Sequence, residues 1–319
     1  MCDILYLVVP CYNEAEVLPD TASALSTRLN AMVADGTVSA ESRILFVDDG
    51  SEDRTWEIVD SLSRENGFIL GVKLSRNQGH QNALYAGMMY AMDKCDFIIS
   101  IDADLQDDVE VLPQFVEKYN EGCHVVYGVR NGRKKDTAFK RLTAQGFYKF
   151  MNSMGAETVY NHADYRLMSR VALEALSQYK EVNLFLRGIV PLIGLKTDTV
   201  FYERKERAAG ETKYPLKKMI NFALDGITSF TVKPLRLISS FGLICSMLSS
   251  CGLIYALFSH FLGNTVPGWT AITCSIWLLG GIQLLGIGVL GEYIGKIFSE
   301  VKQRPRYFIE KSTCREEEQ

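Results

Sequence analysis

Residues 96–107 read DFIISIDADLQD. Five apolar or small residues, Phe97 to Ile101, lead into carboxylates at alternate positions, Asp102 and Asp104, with Gln106 and Asp107 close behind. A short run with no polar face reads as a strand covered on both sides. Similar runs occur at Ile4–Val9, Arg43–Val47, Phe68–Leu74 and His124–Tyr127. Helical patterns fill the intervals at Glu14–Asp35, Arg54–Asn66, Asn82–Asp93 and Val111–Glu121, with Gly36 at one helix end and Ser51 or Asp53 as an N-cap. Strands alternating with helices predict an α/β fold with a mostly parallel sheet. Ligands of such sheets bind beyond the carboxyl ends of the strands. The polar clusters of this sequence lie at those ends.

The chain has 319 residues, with 34 basic against 38 acidic side chains, a net charge of -4. That balance argues against a nucleic-acid partner, whose binder would carry a dominant basic face. The eight cysteines form no CxxC and no zinc-ligand spacing with histidine, so a reduced compartment is expected. The first apolar run is short, follows Asp3 and stops at Pro10, which reads as a strand and not a signal peptide.

Charges thin out in the last third. Leu235–Leu262 holds only Arg236 as a charged residue, and Trp269–Ile294 only Glu292. As helices these runs would reach about 42 and 39 Å, against about 30 Å of hydrocarbon. Two transmembrane helices are expected, at about 235–262 and 269–294. Lys213, Lys217, Lys218, Lys233 and Arg236 precede the first, and Lys296, Lys302, Arg304 and Arg306 follow the second. The connecting loop has no Lys or Arg, so both termini are expected on the cytoplasmic side. Gly291 and Gly295 form a GxxxG suited to close helix packing, on the first span or on another subunit. Glu292 is open to two readings, a functional intramembrane carboxylate or a partner for Lys296 one turn on. Residues 215–233 carry an apolar side and a basic start, which predicts an amphipathic interfacial helix. A linker helix packed on the first domain is the alternative. The expected organisation is a domain over 1–214, the interfacial helix over 215–233, a two-helix membrane region over 234–298 and a cytoplasmic tail over 299–319.

Three clusters carry the chemistry. Asp102 and Asp104 at a strand end can offer oxygens to one hard divalent cation, which can neutralise a departing diphosphate. VDDGSED (47–53) and VPCYNE (9–14) end the second and first strands and can bond base or ribose groups; each alone could be a turn or cap. His80 and His162 lie near motifs, but a lone histidine is more commonly a structural donor, and neither is assigned a role.

VPCYNE, VDDGSEDRT and DADLQD, in this order and spacing, resemble the family 2 glycosyltransferases with a GT-A fold, a Rossmann-like, mostly parallel sheet. NQGHQNAL (77–84), YGVR (127–130), DYRLMSR (164–170), FLRG (185–188), GETKYPLKKM (210–219), DGITSF (225–230) and GEYIGKI (291–297) resemble the polyisoprenyl-phosphate glycosyltransferases, above all the bacterial bactoprenol (undecaprenyl-phosphate) glucosyltransferases. Dolichyl-phosphate mannose synthases are more distantly similar. The likeness covers roughly 4–308. It departs at Thr212, where Ser is expected, at Tyr165, where Phe is usual, and at Leu184, where Arg is common.

The resemblance implies that Pro10, Tyr12, Glu14 and Asp49 hold the uridine. It implies that Asp102, Asp104 and Gln106 hold Mg²⁺ or Mn²⁺ against the diphosphate of the UDP-sugar, and that Asp164 lies by the sugar and acceptor. Asp104 and Asp164 are then the catalytic candidates. Arg130, Arg141, Arg204, Arg207 and Lys213 become candidates for the acceptor phosphate and the donor diphosphate, since arginine matches phosphate with paired N–H donors. A lipid monophosphate has a second pKa near 6 and needs no strong base. In-line attack would invert the anomeric carbon and release UDP. UDP-glucose is the first expected donor and UDP-N-acetylglucosamine the second. The implied setting is the bacterial inner membrane, with the lipid bilayer and a homo-oligomer, tetrameric among relatives, as partners, and a lipid-phosphate-sugar for cell-envelope glycan modification as product. A processive polysaccharide synthase would carry QxxRW, yet Trp56, Trp269 and Trp277 all lack a preceding Arg. A non-catalytic nucleotide-sugar binder would be expected to have lost a metal carboxylate.

Overall fold

The computed structural model describes residues 2–130, 162–182, 184–203 and 268–314, with isolated helical positions between 235 and 251. It divides into two units: one built on a single sheet, which takes back the chain from Gln303 onward, and one containing a long apolar helix.

The sheet holds β1 (Leu5–Cys11), β2 (Arg43–Asp48), β3 (Ile69–Leu74), β4 (Phe97–Ser100), β5 (Val125–Arg130), β6 (His162–Ser169), β7 (Thr197–Tyr202) and β8 (Ile309–Ser312). Their order is β7-β5-β6-β4-β1-β2-β3-β8. β1 runs parallel to β2 and β4, β2 to β3, and β5 to β7, whereas β6 is antiparallel to β4 and β5 and β8 is antiparallel to β3. Only β6 and β8 therefore oppose the other described strands, as a mostly parallel sheet requires.

Helices α1 (Leu18–Ala34), α2 (Thr55–Glu65), α3 (His80–Ala91) and α4 (Leu112–Asn120) join the first five strands, and α5 (Arg170–Ser177) and α6 (Leu186–Leu192) follow β6. Every residue of β1 and β4 is buried, which explains their unbroken apolar runs. Leu5, Leu7 and Val9 share a core with Leu18, Leu25 and Leu29 of α1. On the opposite face α3 lies so close that a β-carbon on Gly87 would sit 2.5 Å from Val8 Cγ1 and 2.7 Å from Val47 Cγ2. Glycine is what permits that approach. α1 begins at Leu18, four residues later than its sequence pattern suggests. The Asn13, Glu14 and Ala15 amides are given instead to the side chains of Ser51, Thr55 and Asp53.

The main departure from expectation is the chain end. Residues 299–319 read as a tail, yet Ile309–Ser312 adds a strand to the sheet edge beside β3. Gly71 N–H donates to Thr313 Oγ1 (2.8 Å), Thr313 N–H donates to the Gly71 carbonyl (2.9 Å), and Arg306 Nη2 donates to the Tyr179 carbonyl (2.6 Å). The sheet unit thus gains residues from beyond the boundary at 214. All four β8 residues are exposed; a polar edge strand is held by backbone pairing and leaves no apolar pattern to read.

The second unit contains α7 (Trp269–Val301), 33 residues long. Its Ile282–Val301 stretch is, among the described residues, the one helix long and apolar enough to cross a membrane by length and composition. Ile272, Ile276, Leu284, Ile287, Ile294 and Ile297 are exposed along it. The expected interfacial helix at 215–233 lies outside the described residues, as does the expected span at 235–262 apart from isolated helical positions.

Candidate active site

The antiparallel insertion of β6 builds the centre of the site. Ile99 pairs with Leu167 and Ser100 with Arg166. Extending that register by two residues sets Asp102, just past the end of β4, opposite Asp164 near the start of β6. Ser100 Oγ donates to the Asp164 carbonyl, fixing the crossing. His80, the first residue of α3, reaches both carboxylates: its Nε2 lies 3.7 Å from Asp102 Oδ1 and 3.5 Å from Asp164 Oδ2.

Asp164 is buried and heavily partnered. Arg166 Nη2 donates to Oδ1 (2.8 Å), and Arg187, from α6, forks the carboxylate with Nε to Oδ1 (3.1 Å) and Nη2 to Oδ2 (3.0 Å). Gln81 Nε2 approaches Oδ2 at 3.4 Å, while its own Oε1 accepts the Leu186 N–H. Burial alone would raise the carboxyl pKa. The His80 hydrogen bond and the charges of Arg187 and Arg166 outweigh it and hold the group well below the ordinary carboxylate range. Asp164 is therefore a fixed anion. Asp102 behaves oppositely: burial, together with the charges of Asp107, Asp164 and Asp104, pushes it up to about 6 despite His80. For His80, burial pulls downward, but the Asp164 hydrogen bond and the two carboxylate charges leave its pKa raised.

The nucleotide candidates sit at the ends of β1 and β2, on loops that interlock with each other and with the loop before α3. Pro10 is buried at the end of β1, Tyr12 beyond it is 41% exposed, and Glu14 is half-buried. Asn13, with φ +54°, accepts the Glu52 N–H on its Oδ1. Asp49 is buried, and its two oxygens accept the Gln78 (2.7 Å) and Gly79 (2.9 Å) amides. Its side chain thus clamps the loop that leads into His80, besides any part in binding uridine. Burial raises its pKa in spite of these bonds. Gly50 has φ +67°, and a β-carbon there would sit 2.5 Å from the Arg76 carbonyl carbon, a backbone atom that cannot swing away. Gly50→Ala is accordingly expected to destabilise the sheet unit by about 2 kcal/mol or more, from left-handed strain plus the clash. Thermal denaturation measures this, and an unchanged melting temperature would refute the packing argument.

Asp104 and Gln106 lie in the loop after β4, with the Gln106 N–H donating to Asp104 Oδ1 (3.2 Å). Leu105 between them is held at φ +52°, a conformation costing about 1–3 kcal/mol for a non-glycine residue and concentrated at functional loops. Among the described residues no three His, Cys, Asp or Glu side chains gather closely enough to form a complete metal cage. The fit to a hard dication rests on other grounds. Asp102 and Asp104 are oxygen donors, and a cation would offset the burial and the neighbouring carboxylate charges that push up Asp102. The residues present fit such an ion when substrate oxygens complete its shell.

Arg130, at the end of β5, belongs to the same region, 3.3 Å from Asp107. Arg141, Arg204, Arg207 and Lys213 lie outside the described residues. The structure adds groups to which the sequence reading assigned no role: His80, noted there only as lying near a motif, and Gln81, Arg166 and Arg187. Their motifs, NQGHQNAL, DYRLMSR and FLRG, were the available signal.

Residues 6–177 match the family described as Glycosyl transferase family 2. YkoT of Bacillus subtilis (strain 168), described as an uncharacterized glycosyltransferase, is 53% identical over 307 residues, 96% of this chain and 91% of that protein. The prophage bactoprenol glucosyl transferase homolog of Escherichia coli (strain K12) is 41% identical over 310 residues, 96% of this chain and 98% of its own length. The bactoprenol glucosyl transferase of Shigella phage SfII is 40% identical over 308 residues, 96% and 97% of the two chains. A mostly parallel sheet bearing these loops at its carboxyl edge, and matches of this extent, mean that the chain belongs to glycosyl transferase family 2 and is a glycosyltransferase of GT-A fold.

Proposed function

We propose that the enzyme transfers a hexose, glucose first, from a UDP-sugar to polyisoprenyl phosphate, with inversion at the anomeric carbon. The observation that carries this reading is the state of Asp164. A sugar-hydroxyl acceptor calls for a general base, best tuned near neutral pH. Asp164, the carboxylate expected beside the sugar and acceptor, is instead pinned as an anion by Arg187 and Arg166. An acceptor whose second ionisation is near 6 arrives largely charged and needs no such base. The near full-length likeness to proteins named bactoprenol glucosyl transferases supports the same acceptor and sugar.

Asp102, Asp104 and Gln106 would hold Mg²⁺ or Mn²⁺. When bound, the ion supplies charge neutralisation for the departing diphosphate. The residues of the chain do the rest by placement. The loops carrying Pro10, Tyr12, Glu14 and Asp49 seat the uridine. Asp164, locked by its arginines, orients the sugar. Arg130, Arg141, Arg204, Arg207 and Lys213 would bind the phosphates. Attack on an α-linked donor then gives a β-linked lipid-phosphate sugar.

The exposed apolar length of α7 and the basic residues around both apolar runs support an inner-membrane enzyme with both termini in the cytoplasm. The layout 1–214, 215–233, 234–298 and 299–319, with two spans and assembly into a homo-oligomer, belongs to the same proposal. Its role would be to supply the lipid-linked sugar for envelope glycan modification.

The test gives the purified full chain a short-chain polyprenyl phosphate, Mg²⁺ or Mn²⁺, and a panel of radiolabelled nucleotide sugars. Labelled lipid from UDP-glucose, with a β linkage by NMR, is expected. Label from UDP-N-acetylglucosamine alone would move the assignment to that sugar, and no lipid product from any donor would overturn it.

A further inference from the structure

Three groups close a ring at the rim of the site, each from a different part of the sheet. Arg130 ends β5 and Tyr202 ends the parallel strand β7, and the two are direct register partners. Asp107 comes from the loop after β4. Arg130 Nε donates to the Tyr202 hydroxyl (3.1 Å), that hydroxyl donates to Asp107 Oδ1 (2.5 Å), and Arg130 Nη2 donates to the same oxygen (3.3 Å). Asp107 is 1% exposed, and its Oδ2 has no hydrogen-bond partner among the described residues. Burying a carboxylate in this way is costly unless it does something for its neighbours. The ring is braced from behind. Tyr165 packs edge-on against Tyr202 at 5.3 Å, and its hydroxyl donates to the Asp108 carbonyl (3.1 Å). That hydroxyl is the departure noted in the sequence, where Phe is usual. It ties the metal-candidate loop to the same brace.

We infer that Asp107 and Tyr202 are positioning residues that hold the Arg130 guanidinium in one plane to meet an anionic phosphate oxygen of a substrate. A guanidinium is flat, and its donors form a fixed fork. Anchoring its Nε edge on Tyr202 and Asp107 therefore sets the direction of the whole group. The Arg130 side chain is 28% exposed, so a ligand can reach it. This inference deepens the proposed function and rests on it. The oxygen belongs either to the donor diphosphate or to the acceptor phosphate, and the experiment separates the two.

Tyr202→Phe removes the hydroxyl and keeps the ring against Tyr165. It is expected to raise KM about ten-fold, the value of a hydrogen bond to a charged group, for one phosphate-bearing substrate, with little change in kcat. Varying UDP-sugar at fixed lipid, and then lipid at fixed UDP-sugar, identifies which. Asp107→Asn, which keeps an acceptor oxygen, should shift the same KM. Arg130→Lys should cost more, and the Tyr202→Phe/Arg130→Lys double variant should be no worse than Arg130→Lys alone, because the tyrosine acts through the arginine. Multiplying costs, or Tyr202→Phe leaving both KM values within about two-fold of the parent, would overturn the inference while leaving the proposed reaction standing. If the parent transfers no sugar, the proposed reaction fails instead. Equilibrium binding of UDP and of short-chain polyprenyl phosphate then decides the clamp: about ten-fold weaker binding of one of them by Tyr202→Phe supports it, and equal affinity for both sinks it.

Discussion

Replacing Asp102 and Asp104 together by asparagine is expected to cut sugar transfer at least about a thousand-fold, since removal of even one transition-state charge stabiliser costs about 10²–10³. The loss should fall on kcat, because charge on the leaving diphosphate develops as the bond breaks. Stability should move the other way. Asp102 is pushed up to about 6 by burial and by Asp107, Asp164 and Asp104 around it. A carboxyl pKa above its unfolded value of about 3.9 means that the ionised group strains the folded protein at neutral pH. Taking the charge away relieves that strain, so the double variant in metal-free buffer should melt at or above the parental temperature. A gain in stability with a loss of rate is the signature of a functional carboxylate cluster. Initial rates with UDP-glucose and a polyprenyl phosphate, with thermal melts alongside, measure both. Parental turnover by the double variant, or by the parent in excess EDTA, would end the case for a bound dication.

Much of this arrangement can be read from the residues, and what cannot has identifiable causes. β1 to β5 are legible because both of their faces are covered, so they carry little polar punctuation. The loop after β4 is legible because its carboxylates follow directly on such a run. β6 is not: in HADYRLMS the buried positions include Asp164 and Arg166, and a strand that buries an ion pair shows no apolar pattern. Its reversed direction is equally hidden, yet that reversal is what brings Asp164 beside Asp102. Arg187 lies 23 residues beyond the carboxylate it forks, and no local period connects them. His80 looks like an isolated histidine until α3 aims it between two acids. β8 is held to β3 through backbone pairing beyond the apolar helix, and four exposed residues give no hint of it. Short-range pattern thus locates the strand tips, while the pairing of charges across them comes from topology.

Asp164→Asn tests that pairing most severely. Arg166 is fully buried, and the Asp164 carboxylate, 2.8 Å away, is the acidic partner that offsets its charge. Asparagine keeps the size and one acceptor oxygen but leaves Arg166 and Arg187 facing a neutral group. Breaking a buried pair from one side costs about 3–5 kcal/mol, which in a unit of this size lowers the melting temperature by roughly 6–20 °C. Transfer should fall about a hundred-fold, the cost of misplacing groups that orient a substrate. A catalytic base makes a different prediction, and pH separates the two. Asp164 has a folded pKa well below its unfolded value. The stability it contributes is therefore complete above pH about 4 and is lost as the pH falls further, through the folded value. Across the neutral range the group does not titrate. The pH–rate profile of the parent should then show no acid limb belonging to Asp164, and the Asp164→Asn profile should keep the parental shape at lower height. Unfolding followed from pH 7 to pH 3 should show the stability difference between parent and variant constant at first and shrinking only below about pH 4. An acid limb that disappears in the variant, or equal stability of the two proteins at pH 7, would mean that the arginines do not hold Asp164 as a fixed anion, and the argument for an acceptor that arrives already ionised would lose its footing.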